Sequence, residues 1–207
     1  MSKLRVGVIR GGVSTEREVS LKTGSEIVAN LNRDKYEVFD IVIDTEKEVY
    51  EKIKDLIHEK KNVLLSGGTG SGKTSFLNSL MGEIDPSERV VTIEDSQELR
   101  VENINKTQLA VPKIATEIYS YQVAIDNAMR LRPDRLFLGE IDIRNTFSFL
   151  RVNNTGHAGN LSTLHANNPK DAIKAIKTNI ILGGGLSNVD ESMLDSLIMT
   201  AIDYIIQ

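Results

Sequence analysis

A chain of 207 residues, of which 26% are charged and 40% hydrophobic, has the composition of a globular protein and is long enough for one domain, or for one domain and a small partial one. Its formal net charge of −4 gives no direct signal for nucleic acid or an anionic membrane as partner, and the absence of cysteine excludes disulfides, thiolate zinc sites and cysteine nucleophiles. Since no apolar run approaches the roughly 18 residues of a membrane helix, and the first residues lack a signal-peptide pattern, we expect a cytoplasmic protein.

Strands and helices are predicted to alternate along the chain. The predicted strands cover residues 4–9, 38–43, 62–66, 89–93, 135–138, 160–164 and 204–206. The predicted helices cover residues 15–31, 73–81, 116–131, 146–152, 169–177 and 190–201, together with one that begins at Thr45 with a capping-box pattern. Such alternation predicts an α/β fold, in which a mainly parallel sheet carries helices on both faces.

Residues 67–74 read GGTGSGKT and match the phosphate-loop pattern G-x-x-x-x-G-K-[ST]. The glycines allow backbone conformations closed to other residues, so that successive N–H groups can turn toward phosphate oxygens. Lys73 would place its charge on the β- and γ-phosphates, and the Thr74 hydroxyl would ligate Mg²⁺. The sequence therefore predicts binding of ATP and Mg²⁺. The predicted nucleotide-binding residues of this segment are Gly67, Gly68, Thr69, Gly70, Ser71, Gly72, Lys73, Thr74 and Ser75.

Carboxylates follow two further predicted strands. Glu94 and Asp95 come after one of them, and Glu140 comes after another. The carboxyl ends of parallel strands face the crevice in which ligands bind, which makes Glu94 and Glu140 candidate catalytic residues. One would orient the attacking water as general base, and the other would hold Mg²⁺ through its water shell. The alternative is a solvated turn after each strand.

Two of the three histidines flank one predicted strand. His157 lies in the sequence TGHAG, and His165 lies in the sequence TLH. We interpret them as a γ-phosphate sensor or a hydrogen-bonding switch, with a purely structural role as the alternative. A metal site is the less favoured interpretation, because no third ligand lies nearby in the sequence.

From about residue 51 to residue 207 the chain resembles the motor domain of the secretion-superfamily traffic ATPases, in particular the type IV secretion and conjugation branch. The segments that carry the resemblance are KNVLLSGGTGSGKTSFLNSL (Walker A), RVVTIEDSQEL (acidic box), MRLRPDRLFLGE (Walker B) and NTGHAGNLSTLHANNP (histidine box). The resemblance implies a P-loop Mg-ATPase that forms a homo-oligomeric ring, a hexamer, and powers transport or pilus assembly. A secretion or conjugation complex would hold it peripherally at the inner membrane. It also implies that Lys73, Glu94 and Glu140 are catalytic and that His157 and His165 belong to the histidine box.

The chain departs from that family directly after Walker B. The family usually continues from Gly139-Glu140 with an arginine and a glycine, whereas this chain has Asp142 at the arginine's position and Arg144 two residues later. We therefore expect phosphate binding to be intact and hydrolysis to be impaired. The alternative to an ATPase is a nucleotide-binding or structural protein with little or no turnover.

The first 44 residues resemble a different family, the opening of the D-alanine–D-alanine ligases. The resemblance rests on VGVIRGGVSTEREVSLKTGSEIVANL and on the strand VFDIVID, and it places Glu16 where that family holds its first D-alanine. Only a β-α-β piece is covered, without the central and ATP-grasp domains, so ligase activity is not expected. The sequence thus predicts a chimera-like chain with two parts, residues 1–44 and residues 45–207.

Overall fold

The computed structural model describes residues 4–11, 17–43, 46–116, 118–184 and 190–207. Within them the strands are β1 (Leu4–Gly11), β2 (Tyr36–Ile43), β3 (Val63–Gly67), β4 (Val90–Glu94), β5 (Lys106–Ala110), β6 (Arg135–Leu138), β7 (Leu161–His165) and β8 (Tyr204–Ile206). The helices are α1 (Arg17–Asn30), α2 (Glu46–His58), α3 (Lys73–Met81), α4 (Tyr121–Arg130), α5 (Thr146–Asn153), α6 (Pro169–Leu182) and α7 (Glu191–Ala201). The predicted α/β class is confirmed.

Six strands form the main sheet, in the order β5-β4-β6-β7-β3-β8. Every pairing in it is parallel, as predicted for strands that are joined through helices. The register sets Gly67 opposite His165 and Ile93 opposite Leu138. The carboxyl ends of β3, β4, β6 and β7 therefore meet at one edge of the sheet, where ligands of such sheets bind.

The central strands are buried on both faces. All residues of β3, β4 and β6 are buried, which explains their nearly continuous apolar sequences. Alternate side chains enter two separate clusters: Leu64 packs with α4, α5, α6 and α7, whereas Val63 and Leu65 pack with α2 and α3. These two layers fix the position of each strand end relative to its neighbours.

The N-terminal strands β1 and β2 form a separate two-stranded parallel sheet. Val6, Val8 and Leu31 nevertheless belong to the same apolar cluster as Leu64 and Ile205 of the main sheet. The predicted capping box at Thr45, and Glu16 of the ligase-like segment, lie outside the described residues. The resemblance of this part to D-alanine–D-alanine ligases, and the boundary at residue 44, stay predictions.

Three elements differ from the sequence prediction by more than two residues. The strand β5 was not predicted, because KTQLA is a polar, partly exposed edge strand without an apolar run. The helix α4 begins at Tyr121 and not at residue 116, since the Ser120 side chain caps it by accepting a hydrogen bond from the Val123 N–H. The helix α6 continues to Leu182, past the predicted end at residue 177, because its last turns bury Ile180.

A buried amide network fixes the edge of the sheet opposite the P-loop. The Asn160 side chain is fully buried; its Oδ1 accepts from the Leu136 N–H at 2.8 Å, and its Nδ2 donates to Asn153 Oδ1 at 2.8 Å. The same Nδ2 donates to the His157 carbonyl at 2.7 Å, and the Asn160 N–H donates to Asn62 Oδ1 at 3.0 Å. One side chain thus joins β6, the end of α5 and the loop before β7.

We expect Asn160→Ala to lower the free energy of unfolding by about 2–4 kcal/mol, because it leaves several buried partners without a hydrogen bond. Urea unfolding followed by circular dichroism measures this change. The control is Asn154→Ala, which removes one hydrogen bond from an exposed side chain to the Leu197 carbonyl and should cost less than about 1 kcal/mol. Equal effects of the two variants would contradict a structural role of the network.

Candidate functional site

The loop between β3 and α3 has the backbone of a phosphate-binding turn. Gly70 and Gly72 have φ angles of 76° and 85°, in the left-handed region that favours glycine. Gly72 is also the N-cap of α3 and provides no capping side chain. The first N–H groups of α3 are therefore available to an anion at the positive end of the helix. A Cβ atom at Gly67 would lie 2.5 Å from Ser71 Oγ, so a side chain there would make the exposed Ser71 side chain move.

The ammonium group of Lys73 lies over this loop. Its Nζ donates to the carbonyls of Gly67 at 2.9 Å and Gly68 at 2.8 Å, and it lies 3.3 Å from His165 Nδ1. All three acceptors are neutral. Because phosphate oxygens are stronger acceptors for an ammonium group than carbonyls are, an incoming phosphate can take over these contacts.

His165 joins Lys73 to the Walker B glutamate. Its Nε2 lies 3.1 Å from Glu140 Oε1, while its Nδ1 faces Lys73. An ammonium group has only donors, so Nδ1 must be the acceptor and Nε2 must carry the hydrogen that is donated to Glu140. Burial raises the pKa of Glu140, and the neighbouring His165 and Lys73 side chains act in the opposite direction. The register of β7 beside β3 therefore brings Walker A, Walker B and the histidine box into one hydrogen-bonded chain.

Glu94 is the most enclosed acid of the site, with 4% of its surface exposed. Its Oε1 accepts from the backbone N–H groups of Glu98 at 2.9 Å and Leu99 at 3.0 Å. Burial raises the pKa of Glu94, and these two backbone hydrogen bonds lower it. The side chain passes close to Gly139, where an added Cβ would lie 3.0 Å from Glu94 Cγ.

Two cavities adjoin at the start of α3. The larger, of about 300 Å³, is lined by Gly67, Gly68, Ser71, Gly72 and Lys73 together with apolar side chains. The smaller, of about 70 Å³, is lined among others by Thr74, Glu94, Glu140 and Thr163. The hydroxyl and carboxylate oxygens of the smaller cavity are the ligand type that Mg²⁺ prefers, and they stand beside the cation of Lys73. The side chains present therefore fit a magnesium–triphosphate group.

The structure does not bring His157 to the P-loop. His157 precedes the amino end of β7, and its carbonyl is held by Asn160 in the amide network at the opposite edge of the sheet. The length of β7, about 13 Å at 3.3 Å per residue, separates that edge from His165. Lys73, Thr74, Glu94, Glu140 and His165 do converge, whereas the role of His157 in the nucleotide site stays a prediction.

Thr163 and Tyr121 also line the smaller cavity, although neither was among the predicted site residues. Thr163 donates from Oγ1 to the Gly139 carbonyl at 2.9 Å, and its position two residues before His165 on β7 was a signal that could have found it. Tyr121, at the start of α4, is buried, and mainly this burial raises its pKa to about 12. No sequence motif marks Tyr121, because only the folding of α4 against β4 brings it to the cavity.

Comparisons with known proteins show the family of the chain. A family model described as "Type II/IV secretion system protein" matches residues 20–202. The type IV secretion system protein VirB11 of Bartonella henselae is 33% identical over 150 residues, which cover 72% of this chain and 42% of VirB11. A putative conjugal transfer protein of Mycobacterium tuberculosis is 31% identical over 157 residues, which cover 74% of this chain and 44% of that protein.

Two solved structures share the fold. The VirB11 ATPase from the Brucella suis type IV secretion system, in complex with sulphate, superposes with a TM-score of 0.69 at 23% identity, covering 77% of this chain and 47% of VirB11. The pilus retraction motor PilT with bound ADP superposes with a TM-score of 0.61 at 26% identity, covering 75% of this chain and 44% of PilT. The chain thus spans less than half the length of these relatives.

Proposed function

The chain belongs to the Type II/IV secretion system protein family, and from this premise we propose that it is the nucleotide-binding core of a secretion-type traffic ATPase that binds and hydrolyses Mg-ATP. The observation that carries the proposal is the convergence of Lys73, Thr74, Glu94 and Glu140 at one edge of the sheet. It unites the parts that phosphoryl transfer to water requires: a phosphate cradle, a fixed cation, a hydroxyl for Mg²⁺ and carboxylates.

Binding depends on the loop and on Lys73. The N–H groups at the start of α3 would donate to the phosphate oxygens, and Lys73 would exchange the carbonyls of Gly67 and Gly68 for them. Thr74 would hold Mg²⁺, which when bound offsets the negative charge of the phosphates. His165 would then keep its hydrogen bond to Glu140 while its Nδ1 loses the contact with Lys73, which suits a sensor of phosphate.

Hydrolysis would use the two glutamates. An attacking water must lose a proton as it approaches the γ-phosphate, and a carboxylate in the smaller cavity can accept it. Two backbone N–H groups donate to Oε1 of Glu94 and hold the side chain in place. The second carboxylate oxygen of Glu94 can then accept the proton from water. Catalysis beyond this proton transfer would be mainly electrostatic, through the fixed charges around the phosphates.

We further propose that the working form is a homo-oligomeric ring, a hexamer, attached to a secretion or conjugation complex at the cytoplasmic face of the inner membrane. The names of the VirB11 and conjugal transfer relatives support this placement. In the part of the chain that the structure describes, no helix has the length and apolar character needed to cross a bilayer.

A second function, nucleotide binding without useful turnover, is favoured by one observation. Asp142 occupies the position at which the traffic ATPases usually have an arginine. The cavity therefore has an added negative charge beside Glu140. The two functions are separated by phosphate release from Mg-ATP over a range of protein concentrations, measured beside ATP binding. Release that rises per subunit with concentration supports the ATPase and its assembly, whereas binding without release supports the second function.

We expect Gly139→Ala to reduce turnover by about tenfold or more while ATP binding is kept, because the added methyl group displaces Glu94 from its position in the cavity. Steady-state phosphate release and binding of a fluorescent ATP analogue measure the two effects. The control is Gly82→Ala, at a C-cap with an ordinary φ of −65° outside the site, which should leave turnover unchanged. Unchanged turnover of Gly139→Ala would contradict the placement of Glu94.

A further inference from the structure

An arginine that lies outside the phosphate loop joins the two acidic strand ends of the site. Arg144 follows β6 and contacts Asp142 from its Nε at 2.8 Å and from its Nη2 at 2.5 Å. The same Nη2 donates to Asp95, the residue after Glu94, at 3.0 Å. One guanidinium group thus bridges the loop after β6 to the loop after β4.

The guanidinium group also covers an aromatic wall of the smaller cavity. Its Cζ lies 5.1 Å from the centre of the Tyr121 ring, within the range of a cation–π contact. Tyr121 and Asp95 line this cavity together, so the guanidinium group contacts both of them. Arg144 therefore holds the segment of residues 94–99 through the Asp95 side chain, while it packs on the Tyr121 ring.

The loop that presents Arg144 is itself braced. Asn145 accepts from the Asp142 N–H at 2.9 Å and donates to the Glu140 carbonyl at 2.9 Å, and the Thr146 hydroxyl donates to the Asp142 carbonyl at 2.6 Å. The Arg144 N–H adds a bond to Asp142 Oδ1 at 2.7 Å. These hydrogen bonds restrict the backbone torsions of the loop, and the loop therefore holds the guanidinium group of Arg144 in one position.

Without this cation, the cavity edge would carry several like charges. Asp95 and Asp142 lie beside the two candidate catalytic glutamates, and the carboxylates would repel one another across the two loops. Without Arg144, the carboxylate of Asp142 would add to that repulsion. When it is paired with Arg144, it fixes the orientation of the planar guanidinium group and of its N–H donors. The family usually has an arginine at the position of Asp142. In this chain, Asp142 instead binds Arg144, which supplies a cation from two residues further along the chain.

We propose that Arg144 is a positioning residue for hydrolysis, one that holds the segment of residues 94–99, and with it Glu94, against the cavity by bridging Asp142 and Asp95; this inference rests on the proposed ATPase function. Arg144 acts through the acidic segment and need not touch the nucleotide. It should therefore affect kcat much more than ATP affinity.

Three purified variants of the whole chain test the bridge: Arg144→Gln, Arg144→Lys and the control Arg151→Gln. Arg151 is an exposed arginine of α5 with an ion pair to Asp126 at 3.4 Å, so it matches the chemistry of the change without contact to the site. We expect Arg144→Gln to lower kcat by about tenfold to a hundredfold with the ATP Kd changed by less than about threefold, because the positioning of Glu94 is lost and the phosphate loop is not. Arg144→Lys keeps the positive charge but lacks the guanidinium group that bridges two carboxylates, so its kcat should fall less than that of Arg144→Gln. The kcat of Arg151→Gln should equal that of the parent chain.

Hydrogen exchange gives a second measurement that does not depend on activity. In Arg144→Gln, the amides of Glu98 and Leu99 should exchange faster, since their acceptor Glu94 is no longer held in place. Unchanged exchange in this segment, or an equal fall of kcat in Arg151→Gln, would overturn the bridge. If the parent chain releases no phosphate, the proposed function fails, while the exchange measurement still decides whether Arg144 positions the segment.

Discussion

Replacing Lys73 with alanine is expected to weaken ATP binding by about a hundredfold or more, the loss typical of a charge-assisted contact to phosphate in a preformed site. Lys73 is the cation whose Nζ reaches over the phosphate loop, and it faces neutral acceptors that phosphate oxygens can replace. The substitution leaves the glycine backbone and the start of α3 unchanged, so the fold should be kept. Isothermal titration with ATP and Mg²⁺ measures the change directly.

Lys113→Ala is the matched control for this prediction. Lys113 is an exposed lysine in the segment between β5 and α4, and its replacement changes the net charge by the same amount. If both variants bind ATP as the parent chain does, the loop is not a nucleotide site and the proposed function is wrong. If both lose affinity equally, the loss reflects overall charge and not the position of Lys73.

The sequence was sufficient for the elements whose pattern is local. The phosphate loop, α3 and β6 were placed at their observed bounds, because glycine spacing and continuous apolar runs are properties of neighbouring residues. The edge strand β5 was missed, since its polar sequence depends on pairing with β4 and not on a pattern of its own. The same reason explains why Tyr121 escaped notice: its place in the site is set by packing between distant segments.

Some of the predicted site residues lie together in the structure, and His157 does not lie with them. Glu94 and Glu140 were selected because they end or follow strands, and His165 was selected from the histidine-box string. Parallel pairing of the strands brings all three to one edge. His157 was selected from the same histidine-box string, yet it precedes the amino end of β7, because the five-residue strand and the loop before it separate the two histidines. The contacts of Arg144 with Asp95 and Asp142 required coordinates, since rotamers and loop bracing are not encoded in spacing.

Replacing Glu94 with glutamine is expected to leave ATP binding within about threefold of the parent chain and to lower turnover by about a hundredfold or more, as for loss of a general base. Glutamine keeps an oxygen that can accept from the N–H groups of Glu98 and Leu99, so the segment should stay in place. Its amide cannot take a proton from water. Single-turnover phosphate release at saturating ATP separates this chemical step from binding.

A comparison of Glu140→Gln with Glu94→Gln decides which carboxylate is the general base and which one organises Mg²⁺. Its amide oxygen can still accept from His165 Nε2, so this variant too should keep the local hydrogen bonds, and Glu102→Gln, an exposed glutamate between β4 and β5, controls for the loss of charge. A large loss in Glu94→Gln alone assigns the base to Glu94 and leaves Glu140 to organise Mg²⁺. Unchanged turnover in Glu94→Gln with a loss in Glu140→Gln moves the base to Glu140, the more exposed of the two and the one that His165 contacts. Turnover that survives in the double variant Glu94→Gln/Glu140→Gln would contradict carboxylate-assisted hydrolysis in this cavity, because neither proton acceptor of the proposed mechanism would then remain at the carboxyl ends of β4 and β6.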